Sequence, residues 1–370
     1  MKIHCLKMKI KNLFLSNSLS VEILKKIWVN KKKDEILRNM RLDSENESLR
    51  KIINERDIDD VVRKECVSKT RVLDDVVTCF LLYGVTSTEY YLYDFFNKRH
   101  KERNEYLSDA MLDAICMESL QDKWRGVYNQ LRDKLEFYKL TSKFFKREVF
   151  VYSKNVNRND FISFIQKNQK FIAKPLRGTM GANTHIVDMS NYKDLDLFEQ
   201  AYGDNQEWIF EELINQSSEM SAWNPTSVNT VRIPSYREKK AIETHYPFFR
   251  TGRAGMVVDN GGQGGIFASI DVQTGCICTN GADEKGHEYI EHPESKLKFK
   301  NWKIPQWKEL LQLSAEIHRS LPLNHKYVAF DFALTSAGWV LVEGNWGQFV
   351  CQQMTLKKGL KKTFEKLMRR

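Results

Sequence analysis

The stretch HKYVAFDFALTSAGWVLVEGN (325–345) decides how this chain folds and where its chemistry sits. Two apolar runs flank a short polar turn, the pattern of an antiparallel hairpin. Centring the turn on Ala337 places Asp331 directly opposite Glu343, and opposed side chains share a face. Asn345 lies two residues past Glu343 and so points the same way. Asp331 stands between Phe330 and Phe332, and Glu343 follows Val340, Leu341 and Val342. Two carboxylates opposed within apolar strands repel each other and lose hydration unless a cation joins them. Two acids and an amide oxygen are hard oxygen donors. They suit Mg²⁺ or Mn²⁺ and leave positions for phosphate oxygens. The plain alternative is a solvated face on an edge hairpin.

Working upstream, FIAK (171–174) reads as a strand ending in Lys174, followed by the loop RGTMGAN (177–183). A lysine ammonium suits nucleotide phosphates, and Gly178 and Gly181 let backbone N–H groups approach them. No GxxxxGK[ST] or strand-to-helix GxGxxG is present, which argues against a Walker loop or a Rossmann site. Kinase HRD and DFG segments and a GxSxG elbow are missing as well. The strand EWIFEELI (207–214) offers backbone groups to an adenine edge. An acid there, or Glu219 beyond it, could take the amino group or a ribose hydroxyl; solvated strand-end acids are the alternative. In SVNTVRI (227–233) Thr230 and Arg232 share a strand face, and Arg232 reads as a bidentate anion holder. Arg250 and Arg253 in FFRTGRAG are further candidates. Cys276 and Cys278 are too closely spaced for a zinc pair and read as core thiols.

The chain's 370 residues allow two or three domains. Residues 1–145 carry apolar positions at helical spacing with Gly84 and Gly126 as their only glycines, so they read as mostly helical. Residues 146–215 read as a small α+β unit and 216–370 as a strand-rich one. A helix is expected over 305–320, with Pro305 in its first turn. The longest uncharged apolar run, VVTCFLLYGV (76–85), is too short for a membrane span. Seven scattered cysteines and no secretory-type start point to a reducing cytosol. The net charge of +10 is concentrated in KKGLKKTFEKLMRR (357–370), which reads as a basic amphipathic helix. It either packs its apolar side on the protein or meets an acidic membrane surface. No nucleic-acid motif accompanies the charge.

The order of these pieces resembles the ATP-grasp superfamily, in which two α+β subdomains clamp ATP. FIAKP, SVNTVRI, GMVVDNGGQGG and LVEGNWGQ are similar to the sugar-transfer-associated ATP-grasp family, itself akin to the teichuronopeptide-biosynthesis type. YGVTSTEYYLYDFF (83–96) resembles its N-terminal part more loosely. The resemblance implies an α+β fold with a lid (146–215) and a C-terminal subdomain (216–370), preceded by the helical region. It implies Lys174 on the α/β-phosphates, under a closing loop that contains Arg177, Gly178, Thr179 and Gly181. Glu211, Glu212, Leu213 and Ile214 would form the adenine hinge, with Glu219 on the ribose. Asp331, Glu343 and Asn345 would hold Mg²⁺ or Mn²⁺, and Arg232 and Arg250 would stabilise the transferred phosphoryl group. Many relatives carry an arginine two residues before the first metal-binding Asp, where this chain has Ala329. The implied activity is carboxylate–amine ligation through an acyl phosphate, joining a uronic acid or other sugar to an amino acid in surface-polysaccharide assembly. A sugar-hydroxyl kinase or a non-catalytic nucleotide-binding scaffold would use the same ATP site.

Overall fold

The computed structural model describes residues 29–33, 35–36, 53–153, 156–176, 183–202, 207–256, 259, 261, 264–347 and 349–369. The helices expected within 1–28 and 37–52 lie outside the described residues. The chain forms two compact units, one of Met1–Gln121 with Gly347–Arg369, the other of Asp122–Trp346.

The N-terminal helices begin where short polar side chains cap them. Asn54 accepts from Arg56 N at the start of α1 (Glu55–Glu65), and Ser68 opens α2 (Lys69–Tyr83). Gly84 ends α2 in the left-handed region at φ 68°, with its N–H on the Phe80 carbonyl. Thr86 and Glu89 form a reciprocal capping box on α3 (Ser87–Leu92). The aromatic segment that follows is core: Tyr83, Tyr90, Tyr93, Phe95 and Tyr106 are all buried and in mutual ring contact. After the one-turn helix His100–Arg103 comes α4 (Asp109–Leu120).

The second unit opens with α5 (Trp124–Arg132) and α6 (Lys134–Thr141). A small sheet follows, made of β1 (Val149–Tyr152), β2 (Lys170–Pro175), β3 (His185–Asp188) and β4 (Trp208–Glu212), in the order β1-β4-β2-β3 with every pair antiparallel. Helices α7 (Arg158–Lys167) and α8 (Leu195–Tyr202) contribute Phe161, Phe164 and Phe198 to a core that also takes Phe171 and Phe210 from the strands. Strands β2 and β4 fall where FIAK (171–174) and EWIFEELI (207–214) read as strands.

The larger sheet contains β5 (Thr230–Glu238), β6 (Ala241–Thr244), β7 (Phe248–Thr251), β8 (Ile266–Ser269), β9 (Gly281–Ala282) and β10 (Glu288–Tyr289). After α9 (Trp307–Ser320) come β11 (Tyr327–Thr335) and β12 (Gly338–Asn345). The order is β10-β9-β8-β7-β5-β11-β12, with β6 beside β5. Helix α9 starts at Trp307, so Pro305 precedes it rather than standing in its first turn. Gln306, in the left-handed region, makes the turn into the helix.

Alternation sorts the two faces of this sheet. Val231 and Ile233, Phe249, Val328, Phe330, Phe332 and Leu334, and Trp339 and Leu341 enter one hydrophobic core. The other face of β11 carries Ala329, Asp331 and Ala333, two small residues flanking one acid. Cys276 is half-buried and Cys278 exposed, so the core-thiol reading is corrected; Ile277 between them takes the buried position.

The chain then returns to the first unit as α10 (Val350–Leu356) and α11 (Lys361–Arg369). Phe364, Leu367 and Met368 are buried, while Lys362, Lys366 and Arg369 are exposed. Gln353, fully buried, clips the return in place. Its Oε1 accepts from Leu107 N (2.8 Å) and Leu360 N (3.0 Å), and its Nε2 donates to Tyr93 Oη (2.9 Å) and Leu107 O (2.8 Å). Replacing Gln353 with Leu would strand several buried polar groups and is expected to destabilise the protein by roughly 2–4 kcal/mol in urea unfolding. Among the described residues, no helix is long and apolar enough to cross a membrane.

Candidate active site

The acids of the hairpin meet because of one extra residue. The turn is tighter than a centre on Ala337 implies: Thr335 pairs with Gly338, and that register runs through Phe332↔Leu341. Continued unchanged, it would set Val342 opposite Asp331 and turn Glu343 toward the core face that Leu341 and Trp339 share. Instead the register shifts between Asp331 and Phe332, and Asp331 pairs with Glu343, Phe330 with Gly344 and Ala329 with Asn345. Val342 is thus a β-bulge that transfers Glu343 and Asn345 to the Asp331 face. Asn345 Nδ2 lies 3.2 Å from Asp331 Oδ2 and 3.1 Å from Glu343 Oε1. Gly344 points the other way, where a Cβ would come within 2.3 Å of Phe137.

Asp331 meets two arginines, each from another strand of the sheet. Arg232 on β5 is the direct partner of Asp331. It grips Asp331 with two bonds, Nε to Oδ1 at 2.6 Å and Nη2 to Oδ2 at 2.7 Å. Arg250 on β7 adds Nη1 to Asp331 Oδ2 at 2.9 Å and reaches Asp259 with Nη2 at 3.0 Å. Asp331 is 1% exposed. Burial pushes its carboxyl up, but the two guanidinium charges outweigh that and hold it below the ordinary aspartate value. Glu343 is half-buried with Arg232 Nη2 at 4.0 Å. Desolvation and the Asp331 charge raise its carboxyl, against the pull of Lys174 and Arg232.

The small sheet brings Lys174 to the same region. Lys174 Nζ donates to Glu211 Oε1 at 2.7 Å, and Arg147 donates through Nε to Glu211 Oε2 at 2.9 Å and through Nη2 to the same oxygen. Glu211 corrects an expectation. It lies in an inner strand of the small sheet, with β1 on one side and β2 on the other, so its backbone is committed to the ladder. Its side chain, 3% exposed, is an internal counter-ion rather than an adenine contact. Burial alone would raise its carboxyl; Arg147 and Lys174 instead hold it down to about 2. A carboxylate held this low stabilises the fold above its unfolded pKa and loses that contribution as pH falls toward 2. Acid unfolding of the wild type is therefore expected to steepen between about pH 4.5 and 2, and Glu211→Gln to flatten that limb when followed by circular dichroism.

Glu212 closes β4; it is exposed, and its N–H bonds the Glu148 carbonyl at 2.9 Å. Leu213 is exposed and Ile214 half-buried just beyond the strand, and Glu219 is exposed on a one-turn helix (Ser218–Ser221). Arg177, Gly178, Thr179 and Gly181 lie outside the described residues. Two basic residues at this site went unread in the sequence. Arg147 precedes β1 among charged neighbours and reads as surface. Lys134 opens α6, where its Nζ bonds the Pro175 carbonyl at 3.0 Å; burial holds its ammonium down, Glu343 acting against this and Lys174 with it. The signal for Lys134 is Asp133 before it, a strong helix N-cap that fixes where the lysine projects.

The donor set fits a hard divalent ion. Two carboxylates and an amide converge, the amide can present Oδ1 after a flip, and Arg232 Nη2 stands off Glu343 at 4.0 Å. Among the described residues no cluster of three or more His, Cys, Asp or Glu side chains could hold a metal, so the fit counts Asn345 as a ligand.

A small antiparallel sheet carrying an inward lysine, joined to a larger one whose last hairpin carries paired acids and an amide, is the build of the ATP-grasp superfamily. The sequence matches the sugar-transfer associated ATP-grasp family over residues 119–369, and the chain belongs to that family. Among solved structures, it is similar to a D-alanine–D-alanine ligase from Coxiella burnetii (10% identity, 65% of this chain and 58% of that chain, TM-score 0.39). It is similar to the ATP-grasp ligase PsnB complexed with a precursor variant, Mg and ADP (10%, 70% and 65%, 0.41). A RiPP-associated ATP-grasp ligase from Chryseobacterium gregarium, in complex with ADP and a leader and core peptide, is also similar (17%, 66% and 61%, 0.37). The chain spans less than two thirds of the length of these three structures. Comparison with curated proteins gives no match.

Proposed function

We propose that the protein is an ATP-dependent carboxylate–amine ligase that releases ADP and phosphate. The observation that carries the reading is the convergence of Asp331, Glu343 and Asn345 on one sheet face with Arg232 and Arg250, within the field of Lys174. A carboxylate oxygen of the substrate attacks the γ-phosphorus and ADP leaves. The amine nitrogen then attacks the acyl carbon, phosphate leaves, and the amine proton passes to water or a base. Phosphoryl transfer needs charge neutralisation and in-line alignment more than a covalent partner from the protein. Lys174 and Lys134 supply positive charge to the phosphates. Arg232 and Arg250, held side by side on Asp331, supply it to the transferred group. Leu213 and Ile214, beyond the end of β4, would face the adenine, with Glu212 and Glu219 as acids for its amino group and the ribose. A bound Mg²⁺ or Mn²⁺ would neutralise the phosphate oxygens.

The family's association with sugar transfer supports a sugar-linked carboxylate, such as a uronic acid, and an amino-acid amine in glycan assembly. The exposed lysines and Arg369 of α11 would suit an acidic membrane surface beside it. The test is ADP release with ATP, Mg²⁺ and a panel of uronic acids, with hydroxylamine present. Hydroxamate formation is expected, because hydroxylamine traps an acyl phosphate. A stable sugar phosphate with no hydroxamate would make the protein a kinase, and no ADP above background with any pair would make it a scaffold.

A further inference from the structure

We infer that Arg147 is a positioning residue that holds the Val342 bulge and thereby sets Glu343 against Asp331; the inference rests on the ion-binding reading of that pair. A bulge takes backbone groups out of the ladder, and buried carbonyls need donors. Arg147 supplies them. Its Nη1 donates to Leu341 O at 2.6 Å and its Nη2 to Val342 O at 3.3 Å, the carbonyls of the bulged residue and the one before it. The same guanidinium donates to Phe145 O at 3.2 Å, lies 4.5 Å over the Phe145 ring and pairs with Glu211. With 4% of its side chain exposed, it has little room to move elsewhere. A planar fork with five donors can serve carbonyls on one strand and a carboxylate on another at once, which an ammonium cannot.

One guanidinium therefore joins an inner strand of the small sheet to the residue that decides which face Glu343 occupies. Lys174 shares Glu211 with it, so the lysine and the bulge are set from a single carboxylate. Loss of Arg147 leaves Glu211 paired with Lys174, so no buried charge is orphaned, but the two carbonyls lose their donors. The strand can then relax toward the unbulged register, in which Glu343 faces the core.

The register supplies a rescue. Deleting Val342 from β12 removes the bulge and still leaves Glu343 as the next partner of Asp331 in a regular ladder. The experiment compares the wild type, Arg147→Met, the Val342 deletion and the two combined. Mn²⁺ binding with ADP is read by electron paramagnetic resonance, and amide exchange over 338–346 is read in protein free of both. Arg147→Met is expected to weaken Mn²⁺ binding by about tenfold or more and to speed exchange over that segment. The Val342 deletion is expected to restore Mn²⁺ binding in the Arg147→Met background to about the wild-type value. A protein whose only defect was lost packing would not be rescued by removing a second residue. Unchanged exchange and Mn²⁺ affinity in Arg147→Met would overturn the inference. So would a combined variant that is unfolded or binds no better than Arg147→Met. Should the wild type itself bind no Mn²⁺ with ADP, the ion-binding reading fails, and the exchange rates alone judge whether Arg147 holds the bulge.

Discussion

Glu343→Gln is expected to cut ATP turnover by at least about 100-fold while leaving the thermal midpoint unchanged or slightly higher. The two halves of this expectation have separate causes. Glu343 sits beside Asp331 in partly desolvated surroundings, and both effects raise its carboxyl. Removing its charge relieves a repulsion in the resting fold, so no loss of stability follows. The amide keeps the size and the bond to Asn345 but withdraws a negative oxygen from the donor set, and hard divalent ions discriminate strongly on ligand charge. ADP release with hydroxylamine and differential scanning calorimetry check the two halves together. Wild-type rates in this variant would refute the ion-binding role of Glu343.

Asp331→Asn is expected to do the opposite to stability. Asp331 is the shared anion of Arg232 and Arg250, and all three are strongly buried. Neutralising it takes a shared anion from two desolvated guanidinium groups, leaving Arg250 on Asp259 and Arg232 with Glu343 at 4.0 Å. Breaking a buried pair by removing one partner costs about 3–5 kcal/mol. For a protein of this size that is a fall in thermal midpoint of about 4–6 °C. Adding Arg232→Met to Asp331→Asn should recover part of the loss, because it removes one of the orphaned charges. A double variant no more stable than Asp331→Asn would mean that Arg232 is already relieved by water or by Glu343.

The contrast between these two acids, equal in the sequence as charges inside apolar strands, shows what sequence periodicity conveys and what it omits. Alternation along β11 and β12 makes their meeting legible. The pairing of Asp331 with Glu343 follows from a turn centred on Ala337, yet the molecule reaches it through a tighter turn and a compensating bulge at Val342. Local sequence does not mark that bulge, because the donors for its carbonyls come from Arg147, nearly 200 residues earlier. Arg232 is recognisable as a strand arginine, but its service to Asp331 is a matter of register between β5 and β11. Glu211 reads as a strand-end acid because the pattern of EWIFEELI does not reveal that β4 lies between two neighbours. Strands β2 and β4 of the small sheet are legible because FIAK and EWIFEELI are short apolar runs bounded by polar residues.

Residues 347–369 belong with the helices that begin the chain, and Gln353 closes four bonds there. During synthesis, then, the helical unit stands incomplete while the whole of 122–346 is made, and it finishes only when the closing helices emerge. The sheets of 122–346 are an insert, and until 347–369 are made the helical unit lacks the buried side chains of Phe364, Leu367 and Met368. Fragments that stop at residue 121, or end before residue 347, would lack part of that unit, so genetic dissection of the helical unit must keep both stretches.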